Sequence, residues 1–240
     1  MHHASRITFF TWWRERAVSL WLWPFNLARD FSVRVQRIGH TCRTAVTHKP
    51  PLAKTIHLLA VQIFDLFGGP ELAQVFLRLL AHTTPLTTAE TAVITDTVGI
   101  RLRFTDVRLA EGGLSKWIFR FNGNLAFTAW HTIFLPQTPA RSRQNLALLV
   151  HELTHVYQYE QVGSRYMTEA IYMLIATRRD CYAYGGAGGL QQAYENQMLL
   201  SSFNREQQAQ IVQDYFSLHV AGEGVTAYLP YINELRHGRL

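Results

Sequence analysis

Residues 145–161 form a helical run in which Leu146, Leu149, Val150, Leu153 and Val156 surround the pentapeptide His151-Glu152-Leu153-Thr154-His155. On a 3.6-residue helix these apolar positions cover much of the circumference, so the helix has to pack on several sides. A helix of that kind carrying His, Glu and His needs a partner that compensates their polarity. If it lay on the surface, the three polar residues would be an ordinary solvated face, but the apolar positions argue against that. This requirement constrains the chain more than any other feature.

A spacing of four sets both imidazoles one turn apart on one helix face, where their nitrogens can share a metal ion. Glu152, one residue beyond the first histidine, reaches a water beside the metal rather than the metal itself. With Zn2+, which brings the pKa of water to about 7, this is the equipment of a hydrolase, and Glu152 is the general base. A catalytic zinc site usually takes three protein ligands and keeps one position open. No histidine stands six residues beyond His155, where the chain has Gln161, and Glu160 is too close on the same helix. A downstream glutamate is the natural alternative, and the chain has Glu169, Glu195, Glu206, Glu223 and Glu234. Glu206 follows Asn204, a plausible helix N-cap, so a second rigid helix can present it. Spacing alone leaves Glu195 and Glu169 as alternatives.

Charge divides the 240-residue chain unevenly. Residues 1–54 hold nine Lys and Arg against Glu15 and Asp30, together with Trp12, Trp13, Trp21 and Trp23, four of the six tryptophans. The rest is close to neutral. His48-Lys49-Pro50-Pro51 is the expected boundary, because two prolines cannot continue a helix. This predicts a basic, Trp- and Arg-rich helical extension over 1–54 and a main domain over 55–240. In the extension, helices are expected from Ile7 to Trp23, ending at Pro24, and over 26–46. Aromatic rings interleaved with Arg6, Arg14, Arg16, Arg29, Arg34 and Arg37 suit an anionic membrane surface. The plainer alternative is that these helices pack on the main domain with their arginines solvated. No nucleic-acid motif accompanies the basic residues, and nucleic acid is not expected as a partner. Arg14, Glu15 and Arg16 interrupt the N-terminal apolar run, which therefore reads as neither a signal peptide nor an ordinary transmembrane helix.

Beyond the boundary, helices are expected at 52–67 and 71–82, separated by Gly68-Gly69-Pro70, and then after Thr87 or Thr88, with Glu90 placed for a capping box and Val98-Gly99 as the stop. Alternating and β-branched residues predict strands over Ile100–Leu109, Trp117–Phe121 and Leu125–Leu135, with Asn122-Gly123 as a hairpin signal. After Pro136 and Pro139 the chain is helical again, with breaks at Gly163 and Gly185–Gly189. Helices, a short sheet and more helices read as an α+β fold. The glycine run follows no strand and lacks a Lys-Ser/Thr, so it reads as a mobile connection rather than a phosphate loop. Tyr166, Tyr172, Tyr182 and Tyr184 are candidates for a hydroxyl beside a developing oxyanion, with ordinary core packing as the alternative. His131 reads as structural or substrate-side, and Cys181 as a buried thiol. The two cysteines, Cys42 and Cys181, provide neither a disulfide framework nor a Cys-based zinc cluster.

The segment Leu149-Val150-His151-Glu152-Leu153-Thr154-His155-Val156-Tyr157-Gln158 resembles the signature helix of bacterial zincin-like proteins with an HELTHVxQ motif. These include metallopeptidase-like domains attached to type VI secretion spike proteins and related polymorphic toxins. Pro85 to Glu90 with Val98-Gly99, Phe104 to Leu109, Ala126-Phe127-Thr128 with Ile133-Phe134-Leu135, and Asn204 to Ala209 with Asp214-Tyr215-Phe216 are similar to further blocks of that family, in order, over about residues 85–216. Tyr157 stands where the family often has Trp, and residues 1–54 match nothing in its pattern. The resemblance implies a zincin-like fold and a zinc metallopeptidase acting on peptides or proteins, of the kind used as secreted antibacterial effectors. It also implies that Glu206 is the third ligand, beside His151 and His155. Two other readings stand beside it: a non-catalytic binding protein on the same scaffold, and a peripheral membrane-interaction protein.

Overall fold

In the computed structural model the described residues are 9–111, 119–120, 123–136, 138, 140–177 and 180–240, with side chains in 9–22 described for Trp13, Ala17, Leu20 and Trp21. Arg6 and the side chains of Trp12, Arg14 and Arg16 therefore lie outside the described residues. So does Asn122 of the expected hairpin turn. Of the expected strand Trp117–Phe121, only Phe119 and Arg120 are described, and they are helical. The chain divides into two compact units, Met1–Ala81 and His82–Leu240.

The first unit consists of α1 (Phe9–His48), α2 (Leu52–Leu66) and α3 (Gly69–Leu80). The expected 54/55 boundary falls inside α2, and α2 and α3 stay with α1. Arg34 of α1 donates to the Asp65 carbonyl and to Glu71, and Gln62 Nε2 donates to Thr41 Oγ1 at 2.8 Å. Pro24 does not end the first helix, contrary to expectation; α1 runs through it. A proline inside a helix costs about 3 kcal/mol. Trp23 and Leu27, on either side of it, both pack against Gly68 at the α2–α3 turn, contacts that offset that cost.

The second unit is α+β. Its sheet has the order β1 (Thr83–Pro85), β2 (Arg108–Glu111), β4 (Thr132–Leu135), β3 (Phe127–Ala129) among the described residues. β2 and β4 are parallel, with Leu109 opposite Ile133, and the β1–β2 and β3–β4 pairs are antiparallel. Two strand expectations change. Residues 100–107 are irregular, because Arg103 donates from N and Nε to Glu160 Oε1 and is tied there instead of to the sheet. The run Leu125–Leu135 is a hairpin rather than one strand. It turns at Trp130, whose φ of 57° is uncommon for a non-glycine residue. Anchoring offsets that strain: Trp130 N donates to Tyr166 Oη at 2.9 Å, and Trp130 Nε1 to Ser164 Oγ at 2.8 Å.

α4 (Thr88–Val98) starts at a Thr87 capping box closed by Glu90, as the sequence predicts, and stops at Gly99 in the left-handed region. The remaining helices are α5 (Leu146–Val162), α6 (Arg165–Ala176), α7 (Gly186–Glu195), α8 (Arg205–Ala221) and α9 (Leu229–Arg236). The glycine run is not a loose connection: it opens α7, and a Cβ at Gly189 would sit 2.5 Å from the Tyr184 carbonyl oxygen. The core lies where α5 meets α8 and the sheet, built on Leu149, Leu153 and Val156 against Ile211, Val212, Ile133 and Leu135. Cutting a fully buried leucine such as Leu153 back to alanine would cost about 2–5 kcal/mol.

Arg143 ties β1, α4 and the approach to α5 together. It donates to Thr84 Oγ1, to the Pro85 carbonyl and to both carboxylate oxygens of Glu90. Burial opposes ionisation of Glu90, but Arg143 and the Thr87 amide and hydroxyl outweigh it and hold the carboxyl below its ordinary range. A depressed folded-state pKa stabilises above the unfolded value of about 4.3, and that contribution is lost as pH falls. Glu90→Gln should therefore lower Tm at pH 7, and the gap to wild type should close as pH drops below about 4. A gap that stays constant between pH 3 and about 7 would contradict this account.

Candidate metal centre

Helix α5 starts at Asn145, whose side chain accepts from Leu148 N at 3.1 Å. From Leu149 to Tyr159 every side chain on it is buried. His151 and His155 are each 5% exposed and Glu152 3%, so the polar trio is as dry as the leucines around it. Compensation comes from α8. Asn204 caps that helix, accepting from Glu206 N and Gln207 N at 2.9 and 3.0 Å, and donates to the Cys181 carbonyl at 3.0 Å. Glu206 is thus fixed in the first turn, where the helix dipole favours a carboxylate.

One Glu206 oxygen, Oε2, lies 3.4 Å from His151 Nε2 and 3.4 Å from His155 Nε2. Ligand atoms of the three residues all fall within 4.8 Å of one another. A tetrahedral ion with bonds of about 2.0–2.1 Å holds its donors about 3.3–3.4 Å apart, so the spacing and the two-imidazole, one-carboxylate donor set both suit Zn2+. His151 turns Nε2 to this point, and its Nδ1 is buried with no hydrogen-bond partner among the described residues. The structure therefore groups Glu206, and not its rivals, with the histidines. Glu169 accepts from Arg165 Nε and Arg205 Nε at 2.6 and 2.8 Å, Glu195 is exposed beside Gln191, and Glu234 accepts from Leu200 N.

The electrostatics follow from proximity. Burial works against the Glu206 charge, but the two imidazoles outweigh it and keep the carboxyl well below the usual range. Burial likewise opposes a charged His155, yet Glu206 overrides it and pushes the pKa up to about 9. A proton held there competes with a metal for the same nitrogen, so metal binding should strengthen with rising pH. Burial raises the Glu152 pKa, only partly offset by the two histidines and by the Thr128 hydroxyl.

Two side chains escape the spacing argument. Thr128 on β3 donates to Glu152 Oε2 at 2.7 Å and to the Glu152 carbonyl at 3.0 Å, which holds the carboxylate in one orientation. Gln158, wholly buried, accepts at Oε1 from His155 Nδ1 at 2.8 Å when Nε2 faces a metal. Its Nε2 donates to the Arg205 carbonyl and to Gln208 Oε1, both at 3.0 Å, so one amide orients an imidazole and ties α5 to the start of α8. The detectable signal was a buried amide one turn beyond the second histidine, which has meaning only once α8 is in place.

A cavity of about 280 Å3 opens on the cluster, lined by Leu125 to Ala129, by His151, Glu152, His155 and Glu206, by Tyr182, and by Met167, Ala170, Ile171 and Leu174 of α6. Of the four tyrosines, Tyr182 and Tyr166 line it. The Tyr166 hydroxyl donates to the Thr128 carbonyl and accepts from Trp130 N, which makes it a brace. Tyr172 is 68% exposed, and Tyr184 is bonded to Asp214 and Tyr228. His131 pairs with Glu160 at 2.9 Å, a structural role. Burial pushes the Cys181 thiol pKa up, as expected of an inert buried thiol.

Residues 85–163, about a third of the chain, match the family model described as the eCIS core domain. The matched stretch runs from the end of β1 through α5, so it holds His151, Glu152, His155, Thr128 and Gln158 and stops short of Glu206. Its description names no peptidase. No curated protein matches the chain, and no solved structure does.

Two predictions concern metal affinity. Glu206→Ala should lose most bound zinc by equilibrium dialysis, whereas Glu169→Ala and Glu195→Ala, folded by circular dichroism, should keep it. Zinc retained in Glu206→Ala and lost in Glu195→Ala would move the assignment. Separately, Gln158→Leu should weaken zinc binding about 10- to 100-fold, the usual effect of removing a group that orients a ligand. Unchanged affinity would leave Gln158 a purely structural tie.

Proposed function

We propose that the His82–Leu240 unit is a zincin-like, metal-dependent hydrolase that cleaves peptide bonds. The observation that carries the reading is the convergence of His151, His155 and Glu206 within 4.8 Å beside a buried Glu152, all on one cavity. His151, His155 and Glu206 would hold Zn2+. When bound, the ion supplies Lewis acidity, which acidifies water and polarises a carbonyl oxygen.

The chain's own residues supply the rest. Glu152, oriented by Thr128, takes a proton from the attacking water as the oxygen bonds to the scissile carbonyl carbon. A raised pKa suits it to keep that proton and pass it to the amide nitrogen, and the C–N bond then breaks to leave a carboxylate and an amine. β3 is an edge strand of the sheet among the described residues and lines the cavity, so an extended peptide would lie along it, with the Thr128 carbonyl already taken by Tyr166. That edge is shorter than the expected strand Leu125–Leu135, which limits pairing to two or three residues. Met167, Ala170, Ile171 and Leu174 make the chamber apolar and favour a bulky hydrophobic side chain next to the cleaved bond. The eCIS core match supports a bacterial protein that works with an extracellular contractile injection system.

Glu152→Gln tests the mechanism. It should retain zinc and lose peptide hydrolysis by at least about 100-fold, the usual worth of a positioned base. Loss of the metal in that variant would make Glu152 a ligand, and full activity would remove it from the reaction.

A further inference from the structure

The Met1–Ala81 unit is built with its polarity reversed. Among its described residues up to Leu80, no aliphatic or aromatic side chain other than Pro70 is buried, whereas Arg34, Thr41, Gln62, Asp65 and Gln74 are. Arg34 is 3% exposed and lies between Glu71 and the Asp65 carbonyl, and Gln62 bonds Thr41. The apolar groups face outward: Phe67 is 73% exposed, Phe76 61%, Leu72 50% and Ile63 47%. Among the described residues up to Leu80 the apolar side chains other than Pro70 are at most partly buried, which leaves little hydrophobic core to hold the unit together in water. In lipid the requirements invert, with polar and charged side chains paired inside the helix cluster and apolar ones against acyl chains.

We propose that the α1–α3 unit inserts into a lipid bilayer, with the α2–α3 elbow among the acyl chains and the basic α1–α2 turn at anionic headgroups. Three observations favour lipid over another occupant. Among the described residues no single helix is long and apolar enough to cross a membrane, but α2 and α3 together are apolar enough and meet at a 67° bend. With 15 and 12 residues they measure about 22 and 18 Å, each short of a hydrocarbon core of about 30 Å, so neither crosses by itself. At the elbow three backbone donors find partners within the turn, which suits an apolar surrounding: Phe67 N bonds Ile63 O, Gly68 N bonds Asp65 O and Leu72 N bonds Gly68 O, while Pro70 carries no donor.

The third observation is the charge gradient along α2. No acidic residue stands between Asp30 and Asp65, and Arg43, Lys49 and Lys54, all exposed, cluster around the α1–α2 turn, at the opposite end of α2 from Phe67. Anionic headgroups neutralise such a turn. A second copy of this chain would bring the same positive surplus against it. The expected peripheral contact through residues 1–54 thus becomes an insertion through 52–80, and this inference does not depend on the proposed hydrolase activity.

Flotation of the full chain with phosphatidylcholine vesicles containing about one-quarter phosphatidylglycerol tests it. Wild type should rise with the vesicles and stay bound in about 1 M NaCl, where surface electrostatics is screened. Ile63→Asp/Phe67→Asp/Phe76→Asp, at exposed positions that leave the fold intact by circular dichroism, should bind at least about tenfold less. A fluorophore attached to the thiol introduced by Phe67→Cys, in a chain also carrying Cys42→Ser, should be quenched more by nitroxides deep in the acyl chains than by headgroup nitroxides. Binding that about 1 M NaCl removes and the triple variant keeps would mean surface adsorption alone and overturn the proposal. So would a wild type that ignores vesicles but forms a dimer that the triple variant dissolves.

Discussion

Two histidines and a glutamate sit in a helix that is dry along eleven consecutive residues, and the rest of the second unit is arranged to make that tolerable. The main compensation is the Glu206 carboxylate, 3.4 Å from each imidazole. Its position depends on Asn204, which caps α8 and is tied to the Cys181 carbonyl, and on Gln158, which links α5 to the first turn of α8. On the opposite side, Thr128 ties Glu152 to the sheet, and Tyr166 and Ser164 hold the strained hairpin that carries Thr128. The close apolar contact of α5 with α8 and β4 gives this arrangement its rigidity. Rigidity of that kind lets an unpaired buried atom such as His151 Nδ1 persist, since collapse around it would disturb both helices.

The first unit meets the cost of buried polarity differently. Its Arg34 is neutralised by Glu71 and a carbonyl, but no layer of leucines encloses the pair. A charge pair buried in a protein core is weak evidence for stability, because desolvation consumes much of the attraction. A buried pair beside an α2–α3 elbow that turns Ile63, Phe67, Leu72 and Phe76 outward makes sense where the surroundings of that elbow are lipid.

Local signals in the sequence carried over well. The Thr87–Glu90 capping box, the stop at Gly99, the Asn204 cap and the α+β order all appear as expected, because each depends on neighbours within a few residues. The His-Glu-His spacing was legible for the same reason, and Glu206 came to notice through its cap. What failed depended on distant partners. Pro24 is carried through by packing at Gly68, residues 100–107 are drawn off the sheet by Glu160, and the glycine run folds into α7 against Tyr184. Thr128 and Gln158 were visible as letters but not as functional groups, since each acts across elements brought together by the fold. The aromatic and arginine pattern of α1 drew attention away from 52–80, whose outward-facing apolar residues look like an ordinary core until burial is known.

The central claim is that His151, His155 and Glu206 together form a metal site. The most direct measurement is X-ray absorption at the zinc edge on the full-length protein after reconstitution. The account predicts one zinc per chain, with nitrogen and oxygen neighbours at about 2.0–2.1 Å and the outer-shell scattering of two imidazoles. No retained zinc, or a zinc shell without imidazole, would contradict it.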